Sequence, residues 1–454
     1  MATLNLLADP WIPSERGDQS PFDLLTRCRE LHWRRADWNA ATFQFLVGLV
    51  QTAVVADPQL CPDAASWELY TQAPPDRFPA VATRWLRAFE FYGARGFMQC
   101  DVPDNDGKHL GGVANLPDMP GANAIKKNSD IFRWREELDQ EFTHAERAIA
   151  LYTLSCSGWS AGGGFLANSR GGSPMTVMLL PERYQTLWQA IWLNVLPRDA
   201  WTRYFGDHEF VEARVFPWLD PHLAGAHTQK QKTSVVPNDL HPLNVYWQMP
   251  MRVRWVEAGL VREQGGLSYN GGGWRHPLSA YVQTKDGTYR CVRCDLGSGY
   301  KAWSPYLLGS EASLPAINVS EHIENGRDEA RLWLFGWVIS QAEALTWFDV
   351  KTPAVVSAWE GFAGAVDAAL TDASQANANL ENALRVAGVT KRVRNLLFLA
   401  TEVDWFDHLA GLAAGEAEAD WVRLLRRRAR GIYDRHAAAR PPMDYAKGLA
   451  RLLR

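Results

Sequence analysis

The chain has 454 residues, room for two or three domains, with 47% hydrophobic and 22% charged residues, an ordinary globular composition. A formal net charge of −4 excludes a protein that coats DNA through its overall charge, although local basic patches remain open. The start, Met1 to Asp9, has no basic n-region, and no uninterrupted apolar run reaches membrane-spanning length, so a cytoplasmic protein with no membrane contact is expected; six scattered cysteines fit reduced thiols.

Leu4-Asn5-Leu6-Leu7-Ala8-Asp9-Pro10-Trp11-Ile12-Pro13 reads as a short strand ended by prolines. Asn39 to Ala56 is a helix in which Phe43, Phe45, Leu46, Leu49 and Val50 share a face. Pro62 to Tyr92 carries one or two further helices, broken at Pro74-Pro75. An irregular region runs from Phe97-Met98-Gln99 to about residue 125. Within it, Asp101 to Gly107 has a superficial likeness to a calcium loop. With Gly107 in the glycine place, however, the first ligand position falls on Val102 and the closing Glu position on Val113, so a turn is expected and no metal site. Lys126 to Phe142 is polar and charged, a mobile loop or a surface helix.

Ala161 to Pro174 holds five glycines in fourteen residues, between the apolar runs Ala148–Leu154 and Met175–Leu180. A side-chain-poor loop held between two buried elements can turn bare N–H groups toward a phosphate or a groove edge. Pro181 to Val195 reads as helical, and Phe216 to Pro242 as a connector rich in proline and histidine. Residues 246 to 310 turn β-like: Tyr246–Trp255 and Tyr289–Val292 alternate, and Asp286-Gly287 marks a hairpin turn. Arg327 to Asp349 reads as one long helix. Val355–Ala373, Leu380–Ala414, Glu416–Arg440 and Met443–Leu453 then repeat apolar residues at three and four, as in an antiparallel bundle. Many of the 21 tryptophans, among them Trp188, Trp192, Trp333, Trp337 and Trp347, fall in helical-looking segments and are read as core anchors. Arg423 to Arg454 is basic, and its Arg426-Arg427-Arg428 run cannot turn wholly inward, so a phosphate- or acid-binding surface is open there.

Motifs for catalysis are sparse. Cys291-Val292-Arg293-Cys294 lacks a second ligand pair for zinc, and its alternating flanks suggest a strand with the thiols on opposite faces. Gly158-Trp159-Ser160-Ala161-Gly162 matches a nucleophile elbow in letters, but the motif needs a strand before the serine and a helix after it. A serine hydrolase acting through Ser160 is the alternative reading. His276, between Arg275 and Pro277, is expected to be a packed or hydrogen-bonded histidine. No cofactor is expected.

Taken together, these segments resemble a known family. The Leu4–Pro13 block, Phe97-Met98-Gln99, Gly162-Gly163-Gly164-Phe165 with Arg170-Gly171-Gly172-Ser173-Pro174, Leu193-Asn194-Val195-Leu196 and Asn270-Gly271 through Trp274-Arg275-His276-Pro277 follow the order of the CasA family, the large subunit of the type I-E CRISPR Cascade complex. The resemblance implies an α+β protein: a large mixed α/β domain over residues 1–350, then an antiparallel helical bundle over residues 351–454. It implies a non-enzymatic subunit that works with the other Cascade subunits and the guide RNA. Such a subunit reads the protospacer-adjacent motif (PAM) of double-stranded target DNA from the minor groove, opens the duplex for R-loop formation, and recruits the helicase–nuclease.

Carried over by position, the groove-reading glycines are Gly162, Gly163 and Gly164. The glutamine wedge is Gln341, preceded by Ser340. The family's lysine finger falls near Gln264, where no lysine stands and Arg262 is the nearest substitute. The guide-RNA contact falls on Phe132, with Asn128 second.

Overall fold

The computed structural model describes residues 3–100 apart from Ala94, then 102, 142–158, 166–224, 232–235, 239–256, 259–263, 265–269, 274–294, 309–327, 329–340 and 343–356; beyond these it describes scattered positions as far as Asp434, chiefly 378–389.

The opening block is a clasp rather than a strand. Asn5 Oδ1 accepts from Leu7 N at 3.0 Å and Asp9 Oδ2 accepts from Asn5 N at 2.7 Å, so Leu4–Asp9 turns on its own side chains. Leu6 and Phe91 pair with Phe89 and Leu4 through the backbone, and Trp11 Nε1 donates to Leu6 O. The strand comes later and contains its proline: β1 (Ile12–Ser14) pairs with β2 (Gly17–Gln19). Helix α1 (Pro21–Arg27) follows, its N-terminus capped by Ser20.

Helix α2 (Ala36–Ala56) is the core axis. By length and composition it could cross a membrane, but 89% of its most apolar window is buried inside the protein, which makes it the core helix of a globular fold. Around it lie α3 (Ala64–Leu69), α4 (Phe78–Ala82) and a 3₁₀ segment, Thr83–Phe89, with the break near Pro74-Pro75 as expected. Aromatic rings close the packing: Phe45 meets Trp11, Phe89, Phe97, Tyr152 and Trp247 edge-on at 5.5 to 6.1 Å.

Helix α5 (His144–Ser157) starts at a Thr143–Glu146 capping box and is buried from Ala148 to Cys156. Pro181 ends β3 (Thr176–Pro181), so the helical segment expected from that residue is limited to α6 (Leu187–Trp192). After it come α7 (Arg198–Phe205), two short helical turns at Glu212–Val215 and Pro221–Ala224, and β4 (Lys232–Val235). The expected β region is borne out in part: Tyr246–Met251 is turn and irregular chain rather than strand, but β5 (Arg252–Val256) pairs with β6 (Gly259–Glu263), β7 (Gly266–Tyr269) lies parallel to β4, and β8 (Tyr281–Gln283) pairs with β9 (Tyr289–Cys291) across the Asp286-Gly287 turn and with β10 (Ser313–Leu314). Helix α8 (Ile317–Glu324) leads to the main sheet.

That sheet overturns one expectation. Arg327 to Asp349 is not a helix. It contains β11 (Ala330–Ser340) and most of β12 (Glu343–Val356), an antiparallel pair whose other neighbour is β3, in the order β12-β11-β3. Trp333, Trp337 and Trp347 are therefore strand residues. β12 also includes Val355 and Val356, where the first bundle helix was expected to begin. Most of the expected bundle lies outside the described residues; helix is seen at 378–386 and at a few single positions.

The outer edge of β3 is closed by side chains. Leu179 N donates to Asn194 Oδ1 at 2.7 Å, and Asn194 Nδ2 donates to Leu179 O at 2.8 Å. Val177 N donates to Leu278 O, and Val177 O accepts from Asn318 Nδ2 at 3.1 Å. A second clasp lies beside it: Gln51 exchanges two hydrogen bonds with the backbone of Leu196, at 2.8 and 3.0 Å.

Candidate nucleic-acid interface

Gly162, Gly163, Gly164, Ser160, Gln341, Phe132 and Asn128 lie outside the described residues. What is described is the frame that holds the glycine loop and the strand that leads to Gln341. α5 ends at Ser157, capped at Gly158 in extended conformation. A Cβ on Gly158 would meet Leu154 O at 2.3 Å, so only glycine fits where the chain turns off this helix. The chain before Ser160 is thus a helix, whereas a nucleophile elbow needs a strand there.

The loop is stapled across its ends. Asn168 Nδ2 donates to Gly158 O at 3.1 Å, joining residues ten apart in sequence. Asn168 Oδ1 accepts from Arg170 N, and Ser169 N donates to Gln248 Oε1 at 2.6 Å. Arg170 itself is buried, with only 4% of its surface exposed. Its guanidinium donates to Cys156 O at 2.7 Å, Thr176 Oγ1 at 2.9 Å, Ser279 Oγ at 3.2 Å and Gln44 Oε1 at 3.4 Å, all neutral acceptors. Cys156 O belongs to the last turn of α5, where the helix dipole is negative and favours a cation. Arg170 therefore ties the loop's exit to the end of the helix at the loop's entrance.

The positive charge and the dry surroundings set the state of the neighbouring groups. Burial pushes the Cys156 thiol up to about 12, against the lowering pull of Arg170. Burial, then Arg170, holds His276 well below the usual histidine range, so it is neutral. Its Nδ1 accepts from Leu278 N at 3.1 Å, which confirms it as a packed, hydrogen-bonded histidine. Cys291 and Cys294 are both buried, and Cys294 Sγ contacts Pro174 O and Met175 Sδ.

Beyond Arg170 the chain is pressed against β11. Ser173 Oγ accepts from Ile339 N at 3.1 Å, and Ser173 O accepts from Cys294 N at 2.9 Å. At Gly336 a Cβ would meet Pro174 O and Cys294 Sγ at 2.5 Å each, so glycine in β11 is what lets this segment seat there. Ile339 is followed by Ser340, the last residue of β11, which pairs with Glu343. The structure thus brings together the exit of the glycine loop and the strand end that precedes Gln341, two segments 166 residues apart in sequence.

Arg262 stands elsewhere in the fold, in β6 opposite Val253. Its hairpin is anchored by Cys100 N, which donates to Val253 O, and by Trp255 N, which donates to Gln99 Oε1 at 2.7 Å. Ser173, Asn168 and Arg170 were not singled out as functional by sequence. The available signal is that polar side chains, Asn168, Ser169, Arg170 and Ser173, sit within a glycine-rich run.

The sequence model of the CRISPR-associated protein Cse1 family matches residues 5–432. Three solved structures are similar over nearly their whole length. CasA of Thermus thermophilus is 17% identical, with a TM-score of 0.69 over 100% of this chain and 98% of that one. Cse1 of Thermobifida fusca is 16% identical, with a TM-score of 0.68 over 99% and 96%. A chain of a CRISPR RNA-guided surveillance complex is 14% identical, with a TM-score of 0.68 over 100% and 99%. No curated protein sequence matches the chain.

Proposed function

The chain belongs to the CRISPR-associated protein Cse1 family, and from that premise we propose that it is the non-catalytic large subunit of a cytoplasmic, RNA-guided DNA surveillance complex. In this reading its partners are the other subunits, the guide RNA, double-stranded target DNA and a separate helicase–nuclease. Gly162 to Gly164 read the PAM through the minor groove, and Gln341 wedges the first base step open. Arg262 stands in for the missing lysine finger, and Phe132 and Asn128 meet the guide RNA.

One observation carries the reading: the Ser173–Ile339 hydrogen bond that joins the exit of the glycine loop to the strand ending at Ser340. A reader and a wedge must act on adjacent base pairs, so they need to be held a fixed distance apart. The minor-groove floor is narrow and its edge pattern is degenerate, so a bare backbone reaches it and tolerates several PAM sequences. The staple at Gly158–Asn168 fits a loop whose ends are fixed while its glycines meet the groove.

The test is Gly163→Val in the assembled complex, with binding measured on PAM and PAM-less duplexes at several salt concentrations. A β-branched side chain at the groove floor collides with sugars and bases, so PAM-dependent binding is lost while weak, salt-sensitive binding to phosphates survives. Gly163→Ala loses less. A folded, assembled Gly163→Val complex that still discriminates normally would remove the glycine loop from this role.

A further inference from the structure

Ser173 sits in the left-handed region at φ 62°, a conformation for which glycine is the favoured residue. Gly171 and Gly172 directly precede it, so the chain has glycine on hand yet keeps a strained serine here. The hydroxyl accounts for it. β3 pairs with β11 only as far as Thr176–Phe335, and four residues further along β11 the Ile339 N–H is taken by Ser173 Oγ.

Ile339 is also where the hairpin register slips. Val338 pairs with Thr346 but Ile339 pairs with Ala344, leaving Leu345 as an extra residue, a β-bulge. Bulges bend a hairpin and redirect the residues beyond them. This end of the hairpin carries its own small apolar cluster, Trp337 and Ala344 with Ile339 and Trp347, joined to the main core only through Trp347 among the described residues. A hydrogen bond from outside the hairpin, at the bulge, is therefore well placed to fix the direction in which β11 runs into Ser340.

Resting on the function proposed above, we infer that Ser173 is a positioning residue for duplex opening: its hydroxyl, acting through Ile339, aims the hairpin end at the first base step while the glycine loop reads the PAM. The separating variant is Ser173→Gly, which relieves the backbone and removes the hydroxymethyl side chain; Ser173→Ala removes only the hydroxyl and keeps the strain. Both are measured in the assembled complex for unfolding, PAM discrimination, and R-loop formation on intact and pre-melted targets. Ser173→Gly is expected to be at least as stable as the parent and to discriminate PAM normally. It should open intact duplex about five- to tenfold more slowly, the loss of roughly one hydrogen bond, and pair with pre-melted target at the parent rate. Ser173→Ala is expected to match it in opening while being less stable.

Parent-like opening of intact duplex by Ser173→Gly, or equal slowing on both targets, would overturn the inference. Its failure is distinct from failure of the reading it rests on. If only the inference is wrong, Gly163→Val still abolishes discrimination while Ser173→Gly opens normally. If only the glycine-loop assignment is wrong, Gly163→Val discriminates normally while Ser173→Gly still slows opening of intact duplex.

Discussion

Two histidines share one local design. His241-Pro242-Leu243 and His276-Pro277-Leu278 both place a proline, which has no N–H, after the histidine, so the next backbone donor is the leucine two residues on. In each case Nδ1 accepts that N–H at 3.1 Å, which requires a neutral ring protonated on Nε2. Burial, then nearby His208, lowers His241 to about 4, and burial, then Arg170, holds His276 well below the usual histidine range. Between the unfolded value near 6.5 and these folded values the unfolded chain binds more protons. Stability is therefore full above about pH 6.5 and declines as pH falls toward 4, by up to about 1.4 kcal/mol per pH unit for each ring. His241→Asn offers an oxygen to the same N–H without titrating. Urea unfolding from pH 7 to 5 should show a shallower pH slope in that variant; an unchanged slope would mean that His241 is not among the groups that titrate on unfolding. The sequence points to a packed histidine at His276 but gives no such signal at His241, which carries the same tripeptide. Its role depends on burial, which a three-letter motif does not reveal.

The hairpin of β11 and β12 shows where pattern reading ran out. Leu332-Trp333-Leu334-Phe335-Gly336-Trp337-Val338-Ile339 is apolar throughout, and a short continuous apolar run does not by itself separate a buried helix from a strand buried on both faces. Its aromatic and β-branched residues suit a strand, whereas Ser340-Gln341-Ala342-Glu343-Ala344-Leu345 suits a helix, and the strand is what forms. Gln341 lies outside the described residues; in sequence it is one of two residues between Ser340 and Glu343, which pair. In the proposed reading, the strands on either side, β11 and β12, supply the rigidity a wedge needs. Gln341→Ala is expected to slow R-loop formation on linear duplex several-fold and to leave pre-melted DNA nearly untouched, because unstacking a base step costs a few kcal/mol only when the step is still stacked. Equal loss on both substrates would end the wedge assignment. Other landmarks that were legible in sequence prove to be core clasps. Gln99 joins Phe91 O to Trp255 N, and the Leu193–Leu196 block presents Asn194 to β3.

Across the whole chain, the mixed α/β part is legible where apolar residues recur on one face, as in α2, and where a turn dipeptide marks a hairpin, as at Asp286-Gly287. The proposed division at residue 350 falls inside β12, which continues to Val356, so the sheet itself reaches toward the segment proposed as a bundle. The long-range clasps were not legible, since nothing local links Asn194 to Leu179 or Ser173 to Ile339. Asn194 is the most exacting of them: it is fully buried and bonds Leu179, Ala190 and Asn318. Asn194→Ala orphans both backbone groups of Leu179 and should cost about 2–5 kcal/mol in urea unfolding; a cost under about 1 kcal/mol would show that water replaces the amide. The same clasp decides how the subunit can be joined to others. With the N–H and C=O groups of Val177 and Leu179 already taken, the β3 side of the sheet has no free rung for an incoming strand. Neither a second copy nor a neighbouring subunit can recruit this protein by extending its sheet along that edge. Along that edge a neighbour finds only side chains to grip, and any strand addition would have to use another edge, such as that of β12.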